Sequence, residues 1–173
     1  MKLFKKILLI ILALMVAFFL FLIWYQHNYS MDVVSPYTIN SPTLEKKLLI
    51  ATQGSEFKNK VTSGIVNHFK TDSVYIEIVD VESLNVIDPN DFNALVIIHT
   101  WENWKPPLSV QTFIEKYRNE SNKIVVLTTS GDGNYTMEGI DAIAGESKIS
   151  DAPLFINKII ERLNKLLVQI EGK

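Results

Sequence analysis

The sequence predicts an α/β domain built on a central parallel sheet and carried behind one membrane-spanning helix. Three observations predict it. Eighteen consecutive residues, Ile7 to Trp24, are apolar, with no charge, Gly or Pro among them; at about 1.5 Å per residue that is just enough helix to cross about 30 Å of hydrocarbon. Further on, the short apolar runs 47–52, 94–99 and 123–127 have the character of strands buried on both faces. Between and after them, apolar residues recur every three or four positions, the period of a helix with one buried face. Strands that alternate with helices place the strands parallel.

The span comes first. Lys2, Lys5 and Lys6 precede it, and no Lys or Arg follows until Lys46. The positive-inside rule then keeps the N-terminus in the cytoplasm and sends everything after Tyr25 to the periplasmic or extracellular side. Trp24 and Tyr25 stand where an interfacial aromatic belt belongs. A cleaved signal peptide has an apolar core of about 7–15 residues and a small-residue cleavage site. Here the run continues past Ala17 through Phe18 to Ile23, and bulky residues follow, so the segment reads as a retained signal anchor. The absence of cysteine excludes a thioether lipid anchor, disulfides and thiolate metal sites. Fourteen basic and nineteen acidic residues follow Ser30, a balance of −5, with no basic stripe for nucleic acid or anionic lipid. Residues 1–25 are therefore a cytoplasmic stub and anchor. Residues 26–45, polar and aperiodic with Pro36 and Pro42, read as a linker. Residues 46–173 form one domain of ordinary size.

Within the domain, Lys47–Thr52 is the first strand, and Ser55 is placed to cap the next helix. Phe57, Val61, Ile65 and Phe69 recur at spacing four, so Glu56–Phe69 is helical, with Gly64 on the face turned to the sheet. Val74–Asp80 is β-rich and partly alternating. Ala94–His99 and Lys123–Leu127 are buried strands. Between them Val110, Phe113, Ile114 and Tyr117 mark a helix over Ser109–Arg118. Asp141–Ala144 is a short last strand. Asp151 then caps a long helix with Pro153 in its first turn and an apolar side running from Ile156 to Ile170. Two connections are short. Residues 81–93 and residues 128–140 each leave little room for a helix, since a parallel crossover normally takes a dozen or more residues.

Ligands of such sheets sit at the carboxyl ends of the strands, which singles out three loops: Ala51–Val61 (ATQGSEFKNKV), His99–Pro107 (HTWENWKPP) and Thr128–Tyr135 (TTSGDGNY). In these loops and in element order, residues 46–167 resemble the flavodoxin-like fold family, a three-layer α/β architecture. The first loop stands in the place of the family's phosphate loop. The second stands where flavodoxins often carry a Trp against the flavin, and the third resembles the Gly-Asp…Tyr loop on the flavin's other face. The resemblance implies FMN as cofactor. Its phosphate would be held by Thr52, Ser55 and backbone N–H groups around Gly54, and its ring would lie between Trp101 or Trp104 and Tyr135. Gly131 would shape the turn, and Asp132 would place negative charge near the ring. Gln53 and Glu56 depart from the family's run of hydroxyls, and a carboxylate at the start of the helix competes with phosphate for its positive end. His27, His68 and His99 are too dispersed to make a metal site. Two functions follow from this pattern. One is FMN-dependent electron transfer or reduction of a small acceptor at the membrane, the cofactor supplying the redox chemistry. The other is a cofactor-free binding or scaffolding module whose surface is the Trp-rich loop.

Overall fold

The computed structural model describes residues 2–29, 31–102, 104–137 and 139–168. It comprises two compact units, Met1–Met31 and Asp32–Lys173.

The first unit is helix α1, Lys2–Tyr29. Its stretch Leu3–Tyr25 has a mean hydropathy of 3.2 and none of it is buried. A helix this long and apolar has the dimensions to cross a membrane, a property that secretory signal sequences near an N-terminus share. Near its end the Phe21 ring leans on Trp24 and Tyr25, with centroids 5.8 and 6.1 Å apart.

In the second unit, the elements after α1 run β1 (Tyr37–Ile39), β2 (Lys46–Thr52), α2 (Glu56–Phe69), β3 (Val74–Asp80), β4 (Ala94–Thr100), α3 (Leu108–Lys116), β5 (Ile124–Thr129), β6 (Asp141–Gly145) and α4 (Ala152–Val168). Among the described residues six strands form one sheet in the order β1-β3-β2-β4-β5-β6. All neighbours are parallel except β1, which runs antiparallel to β3. Without β1, the parallel strands lie in the order second, first, third, fourth, fifth along the chain. That is the doubly wound order of the flavodoxin-like fold.

Alternation along the central strands divides the core between the two faces. Leu48, Ile50, Val96, Ile98, Val125 and Leu127 pack under α2 and α4 with Phe57, Ile65, Phe155, Ile159 and Leu163. Leu49, Ala51, Leu95, Ile97 and Val126 pack on the other side with Val110, Phe113 and Ile114 of α3 and with Leu84. All eleven of these central-strand residues are at most 1% exposed, which explains why their runs read as continuously apolar.

Four features differ from the sequence expectation. Residues 32–45 belong to the folded unit rather than to a linker: Tyr37–Ile39 extends the sheet, and Asn40 ends it at φ +67°, a conformation Asn tolerates. The Asn40 amide donates to the carbonyls of Lys70 and Val74 at 3.0 and 2.8 Å, tying β1 to the start of β3. The close approach at Gly64 is to α4, not to the sheet, since a Cβ there would overlap the Ile156 side chain. The last strand pairs parallel, Val125 opposite Asp141 through Thr129 opposite Gly145, so an irregular loop completes this crossover without a helix. Asp151 ends a 3-10 turn that leads into α4, and its carboxylate accepts from Ser150 Oγ at 2.9 Å. Ile170, expected on this last helix, lies outside the described residues. The 81–93 connection is filled by two 3-10 turns, Val81–Val86 and Pro89–Asp91, capped by the Asp80 and Asp88 carboxylates.

Candidate functional site

The three loops singled out by the sequence all leave the carboxyl ends of parallel strands. The first, residues 53–55, is a bare three-residue link between β2 and α2. Ser55 is extended, with φ −168° and ψ 161°, and its Oγ accepts the Lys58 N–H at 3.2 Å, a side-chain N-cap. Thr52 is 1% exposed, and its Oγ1 donates to the Gln53 carbonyl at 3.0 Å. The Gly54 N–H donates to the Asp32 carbonyl at 2.6 Å, and the Asp32 N–H donates back to the Gly54 carbonyl at 3.1 Å. Asp32 lies so close that a Cβ on Gly54 would come within 2.7 Å of its carbonyl oxygen. The segment after α1 is thus strapped across this loop. The strap is fastened again where Asp80 Oδ2 accepts the Val34 N–H at 2.8 Å.

Gln53, which interrupts the hydroxyl run in the sequence, joins the first loop to the second. Its N–H donates to the Ile98 carbonyl at 3.2 Å, its Oε1 accepts the Thr100 N–H at 2.8 Å, and its Nε2 donates to Glu102 Oε1 at 3.2 Å. Beneath the loops lies a buried polar layer that the sequence pattern did not reveal. Lys58 and His99 are each 0% exposed. Burial lowers the Lys58 ammonium to about 8, with Glu102 pulling the other way. Burial likewise lowers His99 to about 4, opposed by the Thr100 backbone and reinforced by Lys58. His99 Nε2 lies 3.1 Å from Thr128 Oγ1, while Nδ1 has no partner. Lys58 reads in the sequence as one more polar residue of an amphipathic helix, which is why it was missed. His99 stood out only by its place at a strand end.

The second and third loops do meet. Trp101, Trp104, Ser130, Gly131, Asp132 and Tyr135 line one open cavity of about 280 Å³. Glu102 and Lys105 exchange backbone hydrogen bonds at 3.0 and 3.2 Å, and the turn between them raises Trp104, 80% exposed, at φ +66°. That left-handed conformation disfavours a bulky side chain. Asp132 accepts from Ser130 Oγ at 3.0 Å and from the Asn134 N–H at 3.3 Å, and these bonds hold its carboxyl below the usual range. Trp101 is stacked directly on Tyr135, with centroids 5.0 Å apart and planes 14° apart. The two rings that were expected on opposite faces of a flavin cover each other, and no third ring fits between them at that spacing.

The residues present do not form an FMN cradle as they stand. The Gly54 N–H is taken by Asp32 and the Ser55 Oγ by the α2 cap; the Thr52 hydroxyl is buried, and the ring slot is closed. The expected site residues therefore divide. Trp101, Trp104, Gly131, Asp132 and Tyr135 are brought together, whereas Thr52, Gly54 and Ser55 serve the packing of β2, α2 and the strap. Among the described residues no group of three or more His, Asp or Glu side chains is placed to hold a metal ion.

Fold and site together define a flavodoxin-like α/β domain behind an N-terminal apolar helix. Two solved structures are similar at low identity. Oxidised flavodoxin 2 from Bacillus cereus is 14% identical over 70% of this chain and 76% of its own, with a TM-score of 0.37. The flavodoxin-like domain of a Synechococcus sp. protein is 15% identical over 69% of this chain and 74% of its own, with a TM-score of 0.34. No protein-family model matches the sequence, and no curated protein matches it. The fold assignment rests on the strand order.

Proposed function

We propose that this chain is a single-pass membrane protein, N-terminus in the cytoplasm, whose flavodoxin-like domain works as a flavin-free binding module. Its contact surface is the aromatic face made by Trp101, Trp104 and Tyr135. The observation that carries this reading is the Asp32–Gly54 bridge, in which the protein's own backbone uses the donor that a phosphate would need. The left-handed, exposed Trp104 supports it, because strain of this kind persists where a function retains it.

FMN binding is the second reading, favoured by the meeting of the second and third loops around one cavity. It requires Asp32 to leave Gly54 and Trp101 to part from Tyr135; the bound FMN would then supply redox chemistry. One titration separates the two. The detergent-solubilised full chain, shown folded by circular dichroism, is titrated with FMN while flavin fluorescence is followed. The flavin-free reading expects no quenching at micromolar protein. Saturable quenching that Trp101→Ala weakens would establish the other. Under the first reading Trp104→Gly also raises stability, by about 1 kcal/mol, as glycine removes the left-handed penalty. An unchanged or lowered unfolding midpoint would count against strain at this turn.

A further inference from the structure

Among the described residues of the domain, the large apolar side chains most open to solvent are Val33, Val86, Trp104 and Leu108, at 80%, 80%, 80% and 77% exposed. Single residues of this kind are ordinary on a protein surface, whereas a group of them marks a contact. All four belong to segments at or beyond the carboxyl ends of the parallel strands. Val33 is in the strap, Val86 in the connection that follows β3, Trp104 in the loop that follows β4, and Leu108 opens α3. Hydrogen bonds join three of these segments into one rim. Asp32, beside Val33, is bridged to Gly54. Gln53, next to Gly54, donates from Nε2 to Glu102 Oε1 at 3.2 Å. Glu102 and Lys105 then pair around the turn that raises Trp104, and Leu108 follows directly after Lys105, Pro106 and Pro107.

The chain itself delivers this rim to a lipid surface. The apolar stretch ends at Tyr25, and Asp32, seven positions later, is already bonded at the carboxyl end of β2. Seven residues reach about 25 Å at most. We infer that the rim carrying Val33, Trp104 and Leu108 docks on the zwitterionic lipid surface of the membrane that holds the N-terminal helix, with Trp104 set into the headgroup boundary. The inference rests on the single-span, flavin-free reading above and names the partner of its aromatic face. Trp suits that boundary, because its ring is apolar and its N–H stays wet. Three exposed apolar side chains bind free lipid weakly. The tether makes the docking intramolecular, and effective concentration supplies the rest. Charge selects the headgroup. Glu102, two positions before Trp104, and Asp132, which lines the cavity beside it, are both exposed, and the segments after Ser30 carry a net −5. An anionic leaflet repels such a rim. A zwitterionic one admits the apolar tips and leaves the carboxylates in headgroup water.

The test uses the full chain in phosphatidylcholine nanodiscs and reads Trp fluorescence. Trp24→Phe removes the reporter inside the apolar helix and leaves Trp101 and Trp104. Phosphatidylcholine brominated in its acyl chains quenches Trp residues that reach lipid. The expected result is quenching of the Trp24→Phe protein in brominated discs relative to unbrominated ones. Most of that quenching should be lost in Trp24→Phe/Trp104→Phe, with the domain shown folded by circular dichroism. Val33→Ser and Leu108→Ser, added together to Trp24→Phe, should lose part of it although both reporters remain. Replacing part of the lipid with phosphatidylglycerol should lower it. The inference is overturned by an absence of quenching, by quenching that survives Trp104→Phe in full or ignores the serine pair, or by quenching that needs phosphatidylglycerol. An absence of quenching would assign the aromatic face to a partner protein. Titrating the same discs with FMN separates the two levels. Saturable flavin quenching would remove the flavin-free reading itself, whereas silence towards both FMN and brominated lipid would remove this inference alone.

Discussion

His99 stands at the end of β4 with one ring nitrogen bonded to Thr128 and the other buried without a partner. Its folded value of about 4 lies below the ordinary 6.5. In acid the unfolded chain therefore takes up this proton before the folded one does. The neutral ring costs nothing above pH 6.5, and stability is lost as pH falls from 6.5 towards 4. Lys58 moves in the same direction in a higher window. Its value falls from 10.5 to about 8, so the folded state bears a buried charge below pH 8 and is relieved of it between 8 and 10.5. The urea midpoint should therefore drop between pH 7 and pH 4.5. His99→Gln, which keeps a polar group for Thr128, should drop less over that interval; parallel losses in the two proteins would remove His99 from the account. At this scale the sequence was informative where a residue's role is local. Ser55 was legible as a cap because capping needs only its own turn. Gly54 was not legible as the strap's partner, because that contact joins it to Asp32, in a stretch with no pattern of its own.

Helix α2 and strand β3 have the boundaries their periodicity predicts, Glu56–Phe69 and Val74–Asp80. Both bury enough apolar surface on one face for the pattern to dominate. Strand β1 was missed because three residues, two of them exposed, show no alternation; the strand exists because β3 offers an unpaired edge. Gly64 was legible as a point of close approach, though not of approach to α4, because the period of one helix does not name its neighbour. The contact sets two effects against each other. Alanine at an interior helical position gains about 1 kcal/mol over glycine, while forcing a methyl into a packed contact costs about 1–3 kcal/mol. Ile156 bears on this Cβ position with its Cδ1, Cγ1 and Cγ2 atoms, so the overlap should prevail. Gly64→Ala should be destabilising by about 1 kcal/mol in urea unfolding, and Ile156→Val, which removes Cδ1, should recover part of that loss in the double variant. A Gly64→Ala protein more stable than wild type would show that α4 yields at no cost.

At the scale of the whole molecule, the parallel sheet with its two apolar faces followed from buried runs alternating with amphipathic helices, and the strand order agrees with the flavodoxin-like resemblance. The ligand site did not follow, because three loops at the right ends of three strands do not determine which backbone groups are already engaged. Topology across the membrane is a separate matter, carried by Lys2, Lys5 and Lys6 before an uncharged run. Protease added to intact spheroplasts should degrade the domain. Protection until the membrane is permeabilised would reverse the orientation proposed for it.

The strap and β1 also order events in time. A chain made from its N-terminus completes Asp32 and Tyr37–Ile39 before Gly54 and well before Val74–Asp80, to which they bond. Until β3 has been made and has joined β2, Tyr37–Ile39 have no strand to pair with. Loop closure over that distance is then among the last steps of folding rather than the first. The newborn domain passes through a stage in which both edges of its sheet are open to strangers, and among the described residues only the β3 edge is later sealed from within.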